Sequence, residues 1–163
     1  MRIKKSVFKD RDISKGFSFG LISGIITVLG MIVGLETATK SRLAVIAGIV
    51  SIAVADGMSD SFGIHVSEEA EGEKKVWKPT LYTLASKFAF ALLFLIPFIL
   101  LDVMTAAVIS IVLGLLIIGV YSYIMADIQN KTRWKVIGEH LLIAIVVIVV
   151  TYLVGTGVGI LMS

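Results

Sequence analysis

Two aspartates stand four residues apart in a strongly apolar part of the sequence, in the segment Ala55-Asp56-Gly57-Met58-Ser59-Asp60. If this segment is a helix, Asp56 and Asp60 share one of its faces. A carboxylate near the middle of a bilayer costs at least about 2.5–3.5 kcal/mol, so the pair needs a cation, protons or basic partners. The pattern therefore predicts either an ion-binding site or polar contacts that hold neighbouring helices together.

Side chains near this pair extend the chemistry that it could support. Carboxylate oxygens are hard ligands that suit divalent metal ions, and Met58 and His65 offer softer donor atoms nearby. Two carboxylates this close can also share a proton, and His65 is a candidate relay for protons or metal. Ser23 and Thr27, one turn apart in the preceding apolar segment, are further candidate oxygen donors. Packing is the more common role of a methionine such as Met58, and an interfacial position at the helix end explains His65 equally well.

An acidic run follows the same apolar segment and contains Glu68, Glu69, Glu71 and Glu73. Such a run can concentrate cations at the mouth of a transport pathway. It can equally be the solvated surface of a connector between two helices. The sequence leaves both interpretations open.

The composition indicates the elements that must position these residues. Apolar residues make up 57% of the 163 residues and the mean hydropathy is +0.98, whereas a soluble domain is about 45–50% apolar. The apolar runs are continuous and close to the roughly 20 residues that cross a bilayer, which predicts helices rather than barrel strands. We therefore predict an all-α integral membrane protein with five transmembrane helices, at residues 17–35, 43–66, 82–101, 103–126 and 137–162. A basic cytoplasmic N-terminal segment, 1–16, precedes the membrane domain 17–163, in which 67–80 is a cytoplasmic connector.

The basic residues are divided unequally between the two sides of these spans. Thirteen fall on one side and two on the other, which predicts a cytoplasmic N-terminus and an external C-terminus. The net charge of +3 thus indicates membrane orientation, not nucleic-acid binding, and the expected surroundings are the lipid bilayer, the cell membrane in a prokaryote. The larger group is Arg2, Lys4, Lys5, Lys9, Arg11, Lys15, Lys74, Lys75, Lys78, Lys87, Lys131, Arg133 and Lys135, and the smaller is Lys40 and Arg42.

Other features concern packing and exclude some chemistry. Gly20 and Gly24, and again Gly30 and Gly34, have the GxxxG spacing that lets helices approach closely. We expect spans 1 and 2 to pack tightly, within one subunit or across a dimer, and Pro97 to kink span 3.

The absence of cysteine excludes disulfides and thiolate metal sites. No HExxH, GxSxG or nucleophile–base pair is present, so an enzyme is not expected.

Three stretches of the chain resemble the vacuolar iron transporter family. Gly24–Gly34 is similar to the family's first helix, Ala55–Ser67 to its second and Ile137–Gly155 to its closing helix. The resemblance implies five helices, an internal N-terminus and a homodimer whose pore is lined by helices 1 and 2. It also implies transport of a divalent metal ion, with no permanently bound cofactor; hard carboxylate ligands such as Asp56 and Asp60 would favour Fe²⁺ or Mn²⁺.

The departures from the family pattern fall on functional positions. Ser23 stands where the family has an aspartate, Asp60 replaces a methionine that binds iron, and Ile64 replaces a glutamate. The long glutamate-rich cytoplasmic helices of the family are reduced to Glu68–Lys75. One consistent interpretation is that Asp56 and Asp60 supply the charge that Ser23 lacks, so that a two-fold dimer would hold four carboxylates around its axis.

Two functions are therefore compared. The first is a transporter that moves divalent metal out of the cytoplasm in exchange for protons, with Asp56 and Asp60 as central ligands. Met58, Ser23 and Thr27 would assist them. The second is a non-transporting scaffold or accessory protein built on a degenerate transporter fold, which the loss of three family ligand positions favours.

Overall fold

The computed structural model describes residues 10–162, and every regular element in this range is an α-helix. Five stretches are long and apolar enough to cross a bilayer, so the predicted five-span helical architecture is confirmed. The third of these stretches is divided into two helices. Met1–Lys9, with four of the predicted inner basic residues, lies outside the described residues, as does Ser163. The helices are α1 (Arg11–Thr39), α2 (Arg42–Ala70), α3 (Trp77–Leu93), α4 (Leu95–Leu100), α5 (Val103–Ile128) and α6 (Arg133–Met162).

The helices are longer than the apolar runs predict, because polar residues cap and extend them. Asp10 begins α1: its Oδ1 accepts hydrogen bonds from the backbone N–H groups of Asp12, at 3.1 Å, and Ile13, at 3.4 Å. The end of the predicted segment 1–16 is therefore helical. The predicted connector 67–80 is shorter than expected, since α2 continues to Ala70 and α3 begins at Trp77.

The third membrane stretch is interrupted close to the predicted kink. Pro97 has no N–H to donate to the carbonyl of Leu93, and α3 ends at that residue. The short helix α4 follows, and Arg42 at the start of α2 donates hydrogen bonds to the carbonyl oxygens of Phe98 and Ile99 near its end. An arginine side chain thus satisfies backbone groups that a break in an apolar segment would leave exposed.

The chain divides into two compact units. The first comprises the chain up to Ile25 together with Val50–Leu93, and the second comprises Ile26–Ile49 and the chain from Phe94 onward. Each unit therefore contains part of α1 and part of α2. The candidate site described below lies within the first unit.

Glycines bring helix backbones close together in both units. In the first unit, a Cβ atom added at Gly20 would lie 2.5 Å from the carbonyl oxygen of Thr83 in α3. In the second, one added at Gly155 of α6 would lie 2.5 Å from the carbonyl oxygen of Gly34 in α1. The glycines of α1 thus serve close packing as predicted, but Gly20 approaches α3 rather than the expected partner α2.

The two tryptophans of the chain lie in the first turns of α3 and α6. Trp77 and Trp134 are both largely exposed. Tryptophan favours the headgroup region of a bilayer, where the ring is partly in an apolar layer and its N–H reaches polar groups. Many large apolar side chains of the long helices are also exposed, which suits contact with lipid.

Candidate functional site

A lysine lies at the centre of the polar side chains in the first unit. Lys87 of α3 is 1% exposed, and its Nζ lies 2.6 Å from Oδ2 of Asp56 and also contacts Oδ2 of Asp60. Nζ donates to Ser23 Oγ at 3.0 Å, and Ser23 Oγ donates to Oδ2 of Asp60 at 2.7 Å. We call Ser23, Asp56, Asp60 and Lys87 the charged cluster; it joins α1, α2 and α3.

Small residues leave room for the lysine. A Cβ atom added at Gly24 of α1 would lie 3.2 Å from Lys87 Cγ, and one added at Gly57 of α2 would lie 3.0 Å from the ring of Phe88. The absence of side chains at Gly24 and Gly57 lets α1 and α2 approach the segment of α3 that carries Lys87. Gly24 and Gly57 therefore help to position the charged cluster.

The charged cluster contains more negative than positive groups, and its carboxylates are more exposed than its ammonium group. Two carboxylates and one ammonium group carry a formal charge of −1 when all are ionised. The side chains of Asp56 and Asp60 are 28% and 24% exposed, whereas that of Lys87 is 2% exposed. The contacts with Lys87 and Ser23 fall on Oδ2 atoms, so the Oδ1 atoms take no part in them. The carboxylates therefore retain acceptor capacity and partial access.

The sequence interpretation places Lys87 among the basic residues of the inner surface, and this is wrong. Its side chain is buried between helices and pairs with the two aspartates. Two signals pointed to this position: Lys87 falls inside the predicted span 82–101, and two carboxylates on one membrane face require a positive partner. Lys87 is the one lysine or arginine inside the five predicted spans, so the two signals together could have identified it as the partner.

Met58 does not belong to the contacts described for the cluster. Met58 is two residues from each aspartate, about 200° around the helix, and is 61% exposed. The structure thus does not bring its sulfur together with the carboxylates. Thr27 is half-buried one turn after Ser23 on α1.

His65 belongs to a separate aromatic group near the end of α2. Its ring is stacked on Phe62, with centroids 6.2 Å apart, and lies 4.6 Å from the Trp77 ring. Its Nδ1 is 3.4 Å from the hydroxyl of Thr80. The structure therefore does not join His65 to the charged cluster.

The predicted metal-gathering glutamates are mostly engaged with basic residues of α1. Lys15 contacts the buried Glu68 and lies 3.6 Å from Glu71, while Arg11 lies 3.9 Å from Glu73. We call these five residues the ionic clasp, since they join the start of α1 to the end of α2 and the connector that follows it. Glu69 is exposed.

The described residues contain no group of three or more His, Cys, Asp or Glu side chains that could hold a metal ion. A cation entering the charged cluster would meet two carboxylates and the hydroxyl of Ser23. These are hard oxygen ligands, of the kind that Mn²⁺ and Mg²⁺ prefer. Within one chain the set is small, so water or a second subunit would have to complete the coordination.

Fold and site together define a polytopic α-helical membrane protein with a charged cluster that joins its first three long helices. Comparison with protein-family models, with curated proteins and with solved structures finds no match. The resemblance to the vacuolar iron transporter family therefore stays a prediction from the sequence.

Proposed function

We propose that the protein is a transporter that moves divalent metal ions across the membrane, out of the cytoplasm and in exchange for protons. The observation that supports this most directly is the charged cluster. Ionisable residues inside transmembrane segments are rare, and they usually mark pathways for ions or protons. Asp56 and Asp60 would bind the metal, and Ser23 would add a hydroxyl oxygen.

Partial exposure supports a binding role for the two aspartates. Their carboxylates are about one-quarter exposed while Lys87 is enclosed, so the other helices of the same chain do not fully cover the two carboxylates. Carboxylate oxygens favour Mn²⁺ or Fe²⁺ over softer ions. As a homodimer, the protein would bring a second pair of carboxylates to the same site and so enlarge the ligand set.

The remaining parts of the proposal come from the sequence. The distribution of basic residues supports a cytoplasmic N-terminus. Glu69, which is exposed, could gather cations at the cytoplasmic mouth, whereas Glu68, Glu71 and Glu73 would first have to leave Lys15 and Arg11.

The test is metal flux into proteoliposomes, measured separately for Fe²⁺, Mn²⁺, Co²⁺ and Zn²⁺ with a pH gradient imposed or abolished. We expect uptake by the wild-type protein, a dependence on the gradient, and loss of uptake in the Asp56→Asn/Asp60→Asn variant, whose folding is checked by thermal unfolding because its Lys87 has lost both partners. Asp102→Asn is the matched control, because Asp102 caps α5 far along the chain and asparagine caps equally well; it should keep the flux.

A non-transporting scaffold is the second candidate, and Lys87 is the observation that favours it. Because the lysine already pairs with both carboxylates, the cluster could serve only to hold α1, α2 and α3 together. Absence of flux for every ion from correctly folded protein would support this second candidate and reject transport.

A further inference from the structure

We infer that Lys87 sets the cation affinity of the charged cluster, weakening the binding of the transported ion so that it can leave. This inference rests on the proposed function, because it concerns the same two carboxylates. A transport site must bind its ion strongly enough to admit it and weakly enough to release it. Two carboxylates without a basic neighbour would favour retention of a divalent ion.

The position of the ammonium group carries the argument. Nζ of Lys87 contacts one oxygen of each carboxylate, so any cation that both carboxylates bind must lie close to a fixed positive charge. The repulsion between two like charges decreases only as the inverse of their separation and is larger where water is excluded. It also doubles for a divalent ion relative to a monovalent one. Lys87 therefore offsets part of the attraction that the two carboxylates exert on a divalent ion, an attraction that doubles in the same way.

Packing of the lysine stem keeps this charge in place. Cγ of Lys87 lies so near the backbone of α1 that a Cβ atom at Gly24 would be 3.2 Å away. The whole side chain is 2% exposed, and its other described partner is Ser23 Oγ, at 3.0 Å. Since every described partner of Nζ belongs to the cluster, we expect the ammonium group to stay beside the carboxylates when an ion binds. The repulsion thus acts on the bound ion and not merely on the empty site.

The experiment compares Mn²⁺ binding to the purified full-length protein, followed by the electron paramagnetic resonance signal of free Mn²⁺ at one fixed pH. Lys87→Met removes the charge and keeps most of the stem. We expect it to lower the Kd for Mn²⁺ by about tenfold or more and to slow Mn²⁺ flux in proteoliposomes. Lys78→Met is the matched control on the same helix: Lys78 pairs with Asp10, so its removal should leave both quantities unchanged.

A second variant protects the test against a folding defect. Lys87→Gln removes the charge but leaves an amide that can donate hydrogen bonds to the carboxylates, and it should also bind Mn²⁺ more tightly. If the wild type transports Mn²⁺ and both neutral variants bind it no more tightly, the inference is wrong and the proposed function stands. If the wild-type protein neither binds nor transports any of the tested ions, both the proposed function and the inference are wrong.

Discussion

An ammonium group enclosed by membrane helices needs negative charge beside it, and Lys87 has two carboxylates. Such an arrangement is weak evidence for stability, because removing three charged groups from water offsets much of their mutual attraction. Removing one partner of the arrangement nevertheless destabilises the protein. A variant that removes only one sign of charge leaves the other buried and unpaired.

This asymmetry makes the stability of charge variants predictable. We expect Lys87→Met to lower the free energy of unfolding by about 1–3 kcal/mol, less than a fully buried ion pair would lose, because the carboxylates left unpaired are about one-quarter exposed. Adding Asp56→Asn and Asp60→Asn to it should restore most of the loss, because no unpaired charge remains. Thermal unfolding in detergent measures both variants. A triple variant less stable than Lys87→Met would show that the aspartates stabilise the fold by other contacts.

Asp10 provides a second prediction at this scale, outside the membrane spans. Its contact with the Lys78 ammonium holds the pKa of the Asp10 carboxyl below the ordinary value of 3.8. The unfolded chain therefore binds this proton at higher pH than the folded protein does. The contribution to stability is present above the ordinary pKa and is lost as the pH falls through the folded pKa.

Asp10→Asn isolates that contribution, because asparagine still caps α1 but carries no charge. We expect the variant to melt below the wild type near neutral pH and the difference to shrink below about pH 4. Melting curves of the two proteins between neutral and acidic pH test this. A difference that persists unchanged at low pH would assign the effect to the cap and not to the ion pair.

Among single residues, sequence reasoning found the aspartates but not their partner. The four-residue spacing places Asp56 and Asp60 on one helix face in any helical structure. Lys87 joins them only because α3 packs beside α1 and α2 with that face turned inward, and one sequence does not specify this rotation. Met58 illustrates the reverse error, since closeness along the chain placed it near carboxylates from which the helix turns it away.

At the scale of helices, the approach of α1 to α3 depends on glycine. A Cβ at Gly20 would lie 2.5 Å from the Thr83 carbonyl oxygen, a backbone atom that cannot move without shifting α3. We expect Gly20→Ala to lower the free energy of unfolding by about 1–3 kcal/mol, as overpacking does. Gly63→Ala is the control, because nothing lies within 4 Å of a Cβ atom there, and alanine favours a helix. Thermal unfolding of the two variants should differ in sign.

The ion pairs of the ionic clasp differ in burial, and we expect them to differ in their contribution to stability. Lys15 faces the buried Glu68, whereas Arg11 and Glu73 are exposed and 3.9 Å apart. We expect Lys15→Ala to lower the free energy of unfolding by about 1–3 kcal/mol, because a buried carboxylate loses its partner. Arg11→Ala, the matched control, should change it by about 0–1 kcal/mol. Equal effects of the two variants, measured by thermal unfolding, would show that burial of Glu68 does not matter.

The sequence predicted the elements better than it predicted their ends and neighbours. Continuous apolar runs specify five membrane helices because the bilayer excludes other backbone structures. Their ends extend further, since polar capping residues such as Asp10 lie outside the apolar pattern. The sequence did not predict the packing partner of Gly20, because a GxxxG spacing indicates that another helix approaches closely but not which helix it is.

For the whole molecule, orientation in the membrane is a prediction that can be tested directly. Without the buried Lys87, twelve basic residues remain on the predicted inner side against two on the outer side, so the expectation of a cytoplasmic N-terminus is unchanged. The chain contains no cysteine, which makes single-cysteine labelling unambiguous. Thr39 and Asn130 are exposed residues on opposite predicted sides.

We expect a membrane-impermeant maleimide to label Thr39→Cys in intact cells and to leave Asn130→Cys unlabelled. Inverted membrane vesicles should give the opposite result. Labelling of Asn130→Cys in intact cells would reverse the assigned orientation, and with it the proposed direction of transport.

The positions of the two tryptophans have a consequence for spectroscopy. Trp77 and Trp134 begin the third and fifth membrane stretches, and alternate spans of a polytopic protein start on the same side of the bilayer. All indole fluorescence should therefore come from a single leaflet, and brominated lipids confined to that leaflet should quench it while those in the other do not. Trp134→Phe would leave one fluorophore, 4.6 Å from the imidazole of His65, as an optical probe of the end of α2.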